Sequence, residues 1–202
     1  PTKPILAIRG KGSRLVLLSP RPRKKHSVDT EEGRIIWLQW SQNGKTLTVL
    51  TDNDVLQNWT HTLEPIASIP NKGDGRRVGL FENPNQDILI AKLSDGRLCL
   101  LAAATSLETT CIRPGYQIRT AALNSTARLL ATVPMTGFSV DIWDAQTGQH
   151  NKRLKGHTGY IYKAVWNPRG DALATVSEDQ TARVWSLNSP APSILLHGHT
   201  GI

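Results

Sequence analysis

The chain has 202 residues, of which 39% are hydrophobic and 5% aromatic, and its formal net charge is +8 at pH 7. This composition is that of a folded domain, and since no run of about 18 apolar residues could span a bilayer, no membrane partner is expected. The start of the sequence shows no apolar stretch followed by a cleavage site, so the cytoplasm is the expected compartment, with the nucleus as an alternative.

Short strands separated by turn residues run along the sequence from its first residues. The first two are ILAIRG and SRLVLLSP, with the turn Lys11-Gly12 between them. They are followed by four groups of four predicted strands, of which the first reads IIWLQWS, KTLTVLT, DVLQNWT and PIASIP. The second reads RVGLFEN, QDILIAKL, GRLCLLA and SLETTCI; the third reads IRTAALN, ARLLATV, SVDIWDA and HNKRLKG; the last reads YIYKAVWNP, ALATVS, TARVWSL and SILLHG. The pattern predicts an all-β protein.

The second of these groups carries both cysteines of the chain, Cys99 and Cys111, on neighbouring predicted strands. A bridge between them is conceivable, but two unpaired buried thiols are the expectation, because two cysteines are too few for a disulfide framework. Unpaired thiols fit a reducing compartment.

One position recurs every 42 residues along the chain, at Trp59, Leu101, Trp143 and Trp185. The Gly-His pairs Gly156-His157 and Gly198-His199 keep the same period. A period of roughly 40 to 45 residues with Gly-His near one end and a tryptophan near the other indicates propeller blades of four antiparallel strands.

The chain resembles the WD-repeat β-propeller family. Trp143-Asp144 matches the family's Trp-Asp pair, whereas Trp185-Ser186 and Trp59-Thr60 are degenerate forms of it. The resemblance implies an all-β fold, a β-propeller of four-stranded antiparallel blades. The blades are predicted at 33–72, 73–114, 115–155 and 156–197, with a partial blade at 1–32 and the start of a next blade at 198–202.

The repeat is out of phase with the two ends of the sequence, because the partial blade lacks a first strand. The chain is therefore interpreted as part of a larger ring of about seven or eight blades, with a closed ring of about five as the alternative. In the first case, further blades come from the same chain or from another one.

His157, Ser177 and Asp179 include the three residue types of a hydrolytic triad. The resemblance instead assigns them, together with Trp185, to a buried structural tetrad that ties the blade together. No catalytic residue is therefore expected, and the protein is predicted not to be an enzyme. Earlier blades keep only parts of the tetrad, and lower stability is expected for them: Thr51, Asn53 and Trp59 with Arg34 at the histidine position; Asp95 with Leu93 and Leu101; Trp143 with Tyr116 and Gly137.

His197 and His199 lie two residues apart, but no Cys, Asp or Glu stands near them at zinc spacing. No metal site and no cofactor are expected.

The sharpest basic cluster is Arg21, Arg23, Lys24 and Lys25, predicted to lie in the loop after the third strand of the partial blade. Such a run can bind phosphate or an acidic partner, or it can be a solvated loop.

Family propellers usually bind partners on the face formed by the loops entering the first strands and the turns after the second strands. By position this partner-binding face holds Tyr160, Tyr162, Glu178, Gln117, Arg119, Thr136, Ser94, Arg34 and Asp52. The leading hypothesis is a non-catalytic scaffold or recognition module for protein partners. One alternative is an RNA- or DNA-binding propeller that uses the basic loop. The other is the C-terminal sensor part of a larger signalling NTPase or kinase.

Overall fold

The structure is a computed structural model that describes residues 6–9, 14–20, 23–30, 33–41, 44–71, 76–81, 88–102, 108–188 and 193–197. Within these residues the regular structure consists of β-strands only, arranged in five antiparallel sheets. The prediction of an all-β protein built from four-stranded antiparallel blades is confirmed. The described part of the chain offers no long apolar helix of the kind that crosses a bilayer.

The residues pack into two compact units, 1–80 and 81–202. The first two sheets lie in the first unit, and the last two lie in the second. The first sheet has three strands, in the order β1 (Leu6–Arg9), β2 (Arg14–Pro20), β3 (Arg23–Asp29). The second has the order β4 (Ile35–Trp40), β5 (Thr46–Thr51), β6 (Val55–Thr60), β7 (Pro65–Pro70).

The other three sheets repeat this four-stranded meander. In chain order, the strands of the third are β8 (Arg77–Phe81), β9 (Ile88–Leu93), β10 (Leu98–Ala102), β11 (Glu108–Ile112). Those of the fourth are β12 (Ile118–Leu123), β13 (Leu129–Pro134), β14 (Ser139–Asp144), β15 (His150–Lys155). Those of the fifth are β16 (Ile161–Trp166), β17 (Ala172–Ser177), β18 (Thr181–Ser186), β19 (Ile194–His197).

The sequence repeat corresponds to a repeat of strand register. The recurring position pairs with a leucine of the neighbouring strand in each of four sheets: Leu47 with Trp59, Leu89 with Leu101, Leu130 with Trp143, Leu173 with Trp185. Because the pairing register recurs, equivalent positions of the repeat lie on the same face in each sheet.

The turns between first and second strands also repeat their chemistry. Asn124 accepts hydrogen bonds at its side-chain carbonyl from the backbone amides of Arg128 and Leu129, and Asn167 does the same for Asp171 and Ala172. Asparagine favours turns because its side chain can hydrogen-bond to the backbone in this way.

The buried core lies between successive sheets. In the first unit, Ile35, Leu47 and Trp59 of the second sheet pack with Leu15 of the first. In the second unit, one cluster joins the third and fourth sheets through Leu100, Leu130 and Trp143 and their neighbours, and another joins the fourth and fifth. In each cluster the recurring tryptophan faces the preceding sheet.

The prediction of a loop at the basic cluster was wrong. Arg23, Lys24 and Lys25 lie on β3, which pairs with β2 as the outer strand of the first sheet. Arg21 lies outside the described residues, as do residues 198–202, where the start of a next blade was predicted.

The expectation of unpaired thiols was also wrong. Cys99 of β10 and Cys111 of β11 are directly opposite each other and form a disulfide with a Cα–Cα distance of 4.1 Å. The antiparallel register places the two cysteines side by side, and this removes the argument from free thiols for a reducing compartment.

Candidate partner-binding surface

The polar residues of the fifth sheet form a buried chain of hydrogen bonds. Trp185 Nε1 donates to Thr175 Oγ1 at 2.9 Å, and the same hydroxyl lies 2.8 Å from His157 Nε2. On the other side of the ring, His157 Nδ1 lies 2.7 Å from Asp179 Oδ2. The tautomer that satisfies all four groups has the proton on Nδ1, so that Thr175 donates to Nε2 and Asp179 accepts from Nδ1.

The central hydroxyl of this network belongs to Thr175, and the assignment of Ser177 to it was wrong. Ser177 Oγ donates to the carbonyl of Gly159 at 3.0 Å and accepts from the amide of Asp179 at 3.2 Å. Ser177 therefore closes the turn after β17. Because its hydroxyl proton is directed to the carbonyl of Gly159, Ser177, His157 and Asp179 do not form the relay of a hydrolytic triad.

The carboxyl of Asp179 is held in its charged form. Burial alone would raise its pKa, but hydrogen bonds from Thr181 Oγ1, the amide of Thr158 and the His157 ring outweigh burial and keep the pKa well below its usual range. A permanently charged carboxylate suits a structural anchor, since a general acid or base works with a pKa near the ambient pH.

The fourth sheet builds the same chain from different residues. Trp143 Nε1 donates to Thr132 Oγ1 at 2.8 Å, Thr132 lies 2.7 Å from the Tyr116 hydroxyl, and that hydroxyl donates to Asp141 Oδ2 at 2.8 Å. Tyr116 takes the place of the histidine, and Asp141 on β14 supplies the carboxylate that Gly137 cannot. The sequence predicted that this blade had lost part of the network. That prediction was wrong, because the hydrogen-bond chain from Trp143 to Asp141 is complete.

Outer-strand residues complete the charge balance around Asp141. Arg153 Nε and His150 Nε2, both from β15, lie 2.7 and 2.8 Å from Asp141 Oδ1. Burial acts to raise the pKa of Asp141, but hydrogen bonds from Arg153, His150 and Tyr116 lower it below the usual value. Burial, with a further contribution from Asp141, raises the pKa of Tyr116 far above its usual range, so its hydroxyl stays protonated.

The second sheet lacks the central hydroxyl. Val49 stands two residues after Leu47, where the fourth and fifth sheets have threonine, and the buried Trp59 Nε1 has no hydrogen-bond partner within the described residues. Thr51 instead exchanges hydrogen bonds with the backbone of Val55, and Asn53 is exposed.

An exposed aromatic cluster lies where the fourth and fifth sheets meet at one end. It consists of Met135 and Phe138 from the β13–β14 turn with Tyr160, which precedes β16, and Tyr162 on β16, and these residues are between 38% and 51% exposed. The Phe138 and Tyr160 ring centroids are 5.5 Å apart. Such a contiguous set of large exposed apolar side chains is typical of interaction surfaces.

Arg119 of β12 supports this cluster from one side. Its guanidinium donates from Nη2 to the carbonyl of Met135 at 2.8 Å and lies 5.8 Å from the Tyr162 ring centroid. Glu178 contacts the other end, since its amide donates to the Tyr160 carbonyl at 2.8 Å and its carboxylate lies 3.4 Å from the Tyr160 amide. Gln117 and Thr136 are exposed beside the cluster, and the carbonyl of Gln117 accepts from the amide of Met135 at 2.7 Å.

Three residues of the predicted partner-binding face lie elsewhere. Arg34 and Asp52, in the first unit, form a salt bridge of 3.3 Å, and the amide of Arg34 donates to the Asp52 carboxylate at 2.7 Å. Ser94 is exposed in the turn between β9 and β10.

Sequence reasoning missed Met135 and Phe138. The signal that could have identified them is the segment Pro134-Met135-Thr136-Gly137-Phe138, in which two large apolar residues stand in a predicted turn. The described residues contain no group of three or more potential metal ligands, and His199 lies outside them.

The family model described as WD domain, G-beta repeat matches residues 148–186, from the β14–β15 turn to the end of β18. Periodic tryptophan protein 2 homolog of Neurospora crassa is 36% identical over 66 residues, which cover 33% of this chain and 7% of that protein. Protein HIR1 of Cryptococcus neoformans is 25% identical over 166 residues, which cover 82% of this chain and 16% of that protein. The chain thus spans a sixth or less of these two relatives.

A solved structure titled Crystal Structure of Mitotic Checkpoint Complex contains a chain of similar fold, with a TM-score of 0.68 and 16% sequence identity. The match covers 94% of the present chain and 59% of the solved one. This likeness concerns the fold.

Proposed function

We propose that this chain, which carries a WD repeat at residues 148–186 and is built from propeller-type blades, is a non-catalytic module that recognises protein partners. The observation that carries the proposal is the aromatic cluster of Met135, Phe138, Tyr160 and Tyr162. Tyrosines with exposed rings combine apolar contact area with a hydrogen-bonding hydroxyl, and they are enriched among residues that dominate binding energy.

The non-catalytic part of the proposal rests on how the reactive side chains of the fifth sheet are used. Both ring nitrogens of His157 have a partner, and its side chain is fully buried. Ser177 donates to a backbone carbonyl. These groups hold the blade together and are not open to a substrate.

The proposal includes a further four-stranded sheet, from the same chain or another, that packs against the fifth sheet. Val165, Val176, Ile194 and Leu196 are between 47% and 64% exposed on one face of this sheet, which we call the open face. On this face, residues that pair across the four strands form two rows. The first row is Val165, Ala174, Val184 and Ile194; the second is Lys163, Val176, Ala182 and Leu196.

The fourth sheet indicates what covers such a face. Its Ala131, Val133, Val140, Ile142 and Leu154, which occupy equivalent register positions, are buried against Ile161, Ala164, Leu173 and Trp185 of the fifth sheet. At the equivalent positions the open face also carries small or branched apolar residues, which are Ala174, Val176, Ala182, Val184 and Leu196. We therefore infer that a sheet of the same kind covers it.

Affinity capture from an extract of the source cells tests the proposed function. The Tyr160→Ala, Tyr162→Ala double variant should lose the proteins that the unaltered chain retains after nuclease treatment and a wash at about 200 mM salt. Ile66→Ala, a change at an exposed apolar residue of β7 in the first unit, is the matched control and should retain them. Capture that is unchanged in the double variant would locate partner binding outside the aromatic cluster. Capture abolished by nuclease would favour a nucleic-acid partner.

A further inference from the structure

Arg119 is a cation without a carboxylate partner among the residues that the structure describes. Its contacts are to the Met135 carbonyl and to the Tyr162 ring, and its Nε is buried without a hydrogen-bond partner in the same set of residues. The other arginines near acidic groups in the second unit behave differently: Arg97 and Arg153 each form a short salt bridge with an aspartate. The guanidinium of Arg119 is therefore fixed in place and has its charge uncompensated.

The charges around the aromatic cluster are unevenly distributed. Among the described residues, Arg119 is the one cation that the structure records beside the Tyr162 ring, since Lys163 pairs with Val176 on the open face of the fifth sheet. The one nearby carboxylate that the structure records in contact with the cluster is Glu178, which approaches the backbone of Tyr160. An incoming acidic group would be attracted to the Arg119 end and repelled at the Glu178 end.

The apolar part of the cluster lies next to this cationic end. Phe138 and Tyr160 pack against each other with their planes tilted by 58°, and Met135 is joined to Arg119 through its carbonyl. Methionine and aromatic side chains accept aliphatic and aromatic side chains of varied shape, because the thioether is flexible and the rings are broad. The surface thus offers one apolar contact area and one cationic contact beside it.

We propose that the aromatic cluster binds a peptide segment in which an acidic side chain flanks a large apolar one. The carboxylate pairs with Arg119, and the apolar side chain packs on Met135, Phe138 and Tyr160. This inference rests on the proposed function and specifies the chemistry of the partner. A single-stranded nucleic acid would also stack on the tyrosines, but tracking its backbone requires several cations, and among the described residues the structure records Arg119 in contact with the cluster, with the carboxylate of Glu178 at the other end.

Selection from a random dodecapeptide library displayed on phage tests the proposal with the full 202-residue chain as bait. We expect the enriched peptides to share Asp or Glu next to Leu, Ile, Met or an aromatic residue, and to lose binding to the Tyr160→Ala, Tyr162→Ala variant. Against Arg119→Gln, the affinity of a selected peptide should fall about tenfold or more, because a charge-assisted pair is lost. Arg119→Lys, which keeps the charge, should retain part of that affinity.

Two controls separate the possible failures. Arg169→Gln removes an arginine from an exposed turn outside the cluster and should leave peptide affinity unchanged. Between about 50 and 200 mM salt, one ion pair with a peptide predicts a much smaller loss of affinity than contact with several phosphates of a nucleic acid does. Thermal unfolding of each variant verifies that its fold is intact.

The outcomes distinguish the two proposals. Enriched peptides that need both tyrosines but lack an acidic residue, or bind Arg119→Gln equally well, would overturn the acidic-peptide inference and leave the proposed function standing. Enrichment that does not depend on the tyrosines would contradict both. Tighter binding of an oligo-dT strand at the tyrosines, with a steep salt dependence, would replace the peptide with a nucleic acid.

Discussion

At the scale of single residues, the hydroxyl of Thr175 organises the polar core of the fifth sheet. It serves both the Trp185 indole and the His157 ring, whereas Ser177, two residues later, serves the backbone. Thr175 and Ser177 are two residues apart on β17, so their side chains lie on the same face of the strand. The sequence alone therefore does not show which of the two hydroxyls belongs to the network. The pairing of Leu173 with Trp185 decides the question, because it places the indole over the threonine.

The first prediction follows from this asymmetry. Thr175→Val keeps the shape of the side chain but leaves two buried groups, the Trp185 N–H and a His157 nitrogen, without a partner. We expect the free energy of unfolding to fall by about 2 to 4 kcal/mol. Ser177→Ala should lower it less, by about 1 to 2 kcal/mol, since two hydrogen bonds to backbone groups, the Gly159 carbonyl and the Asp179 amide, are lost. Urea unfolding of both variants measures the difference, and a larger loss for Ser177→Ala would restore Ser177 as the central residue.

At the scale of the element, the fourth sheet shows that a polar network can be rebuilt from other positions. Tyr116 and Asp141 perform the tasks that His157 and Asp179 perform in the fifth sheet. Comparison of repeat positions in the sequence showed that Gly137 cannot supply the carboxylate of the network. It did not show that Asp141 supplies one instead, because Asp141 stands at a different position in the blade. A residue that reaches the same point from another strand is visible only in three dimensions.

The second prediction concerns the acid stability of this sheet. The pKa of Asp141 is lower in the folded chain than its ordinary value, so its charged form stabilises the fold. This contribution is complete above the ordinary pKa of about 3.9 and is lost as the pH falls through the lower folded pKa. Asp141→Asn should be less stable than the unaltered chain at neutral pH, and should lose less stability on acidification. Thermal unfolding from neutral pH down to about pH 2 measures both effects.

Glu64→Gln, at an exposed carboxylate of the second sheet, is the control for a general change in charge. It should follow the unaltered chain at each pH. If Asp141→Asn also follows the unaltered chain on acidification, the buried carboxylate does not carry the stability assigned to it.

Outer strands are predicted less directly than inner ones. An outer strand has little core to bury, so β15 is mostly exposed and its sequence, HNKRLK, carries little alternation, but its place in the 42-residue repeat still predicted it as a strand. The segment RKKHSVD of β3 has the same polar character and lies in the partial blade, and it was predicted to be a basic loop. The inner strands, with their alternating apolar residues and regular turns, could be predicted from the sequence.

The cysteine pair illustrates a different limit. Sequence placed Cys99 and Cys111 on neighbouring strands, but only the register decides whether they are directly opposite. A shift by one residue would have directed one side chain to the other face of the sheet.

At the scale of the whole molecule, the 42-residue repeat predicts the blades from the sequence. The same repeat explains why the fifth sheet carries an exposed apolar face. Within each unit the recurring tryptophan faces the preceding sheet, which presents an apolar face to it. The open face of the fifth sheet is an apolar face of the same kind, and it is where we propose that a further sheet packs.

The last prediction tests the open face. The 202-residue chain alone should associate as its concentration rises, giving a mass by light scattering above the 22.2 kDa of one chain. The double variant Val176→Lys, Ile194→Lys should associate less, because two charged side chains on the open face oppose its packing against another apolar surface. It should lose little stability, because both side chains are exposed in the single chain. Ile66→Lys, an equally exposed apolar position in the first unit, should not reduce it. A mass that stays at one chain over the whole concentration range would mean that the open face tolerates water without a covering sheet.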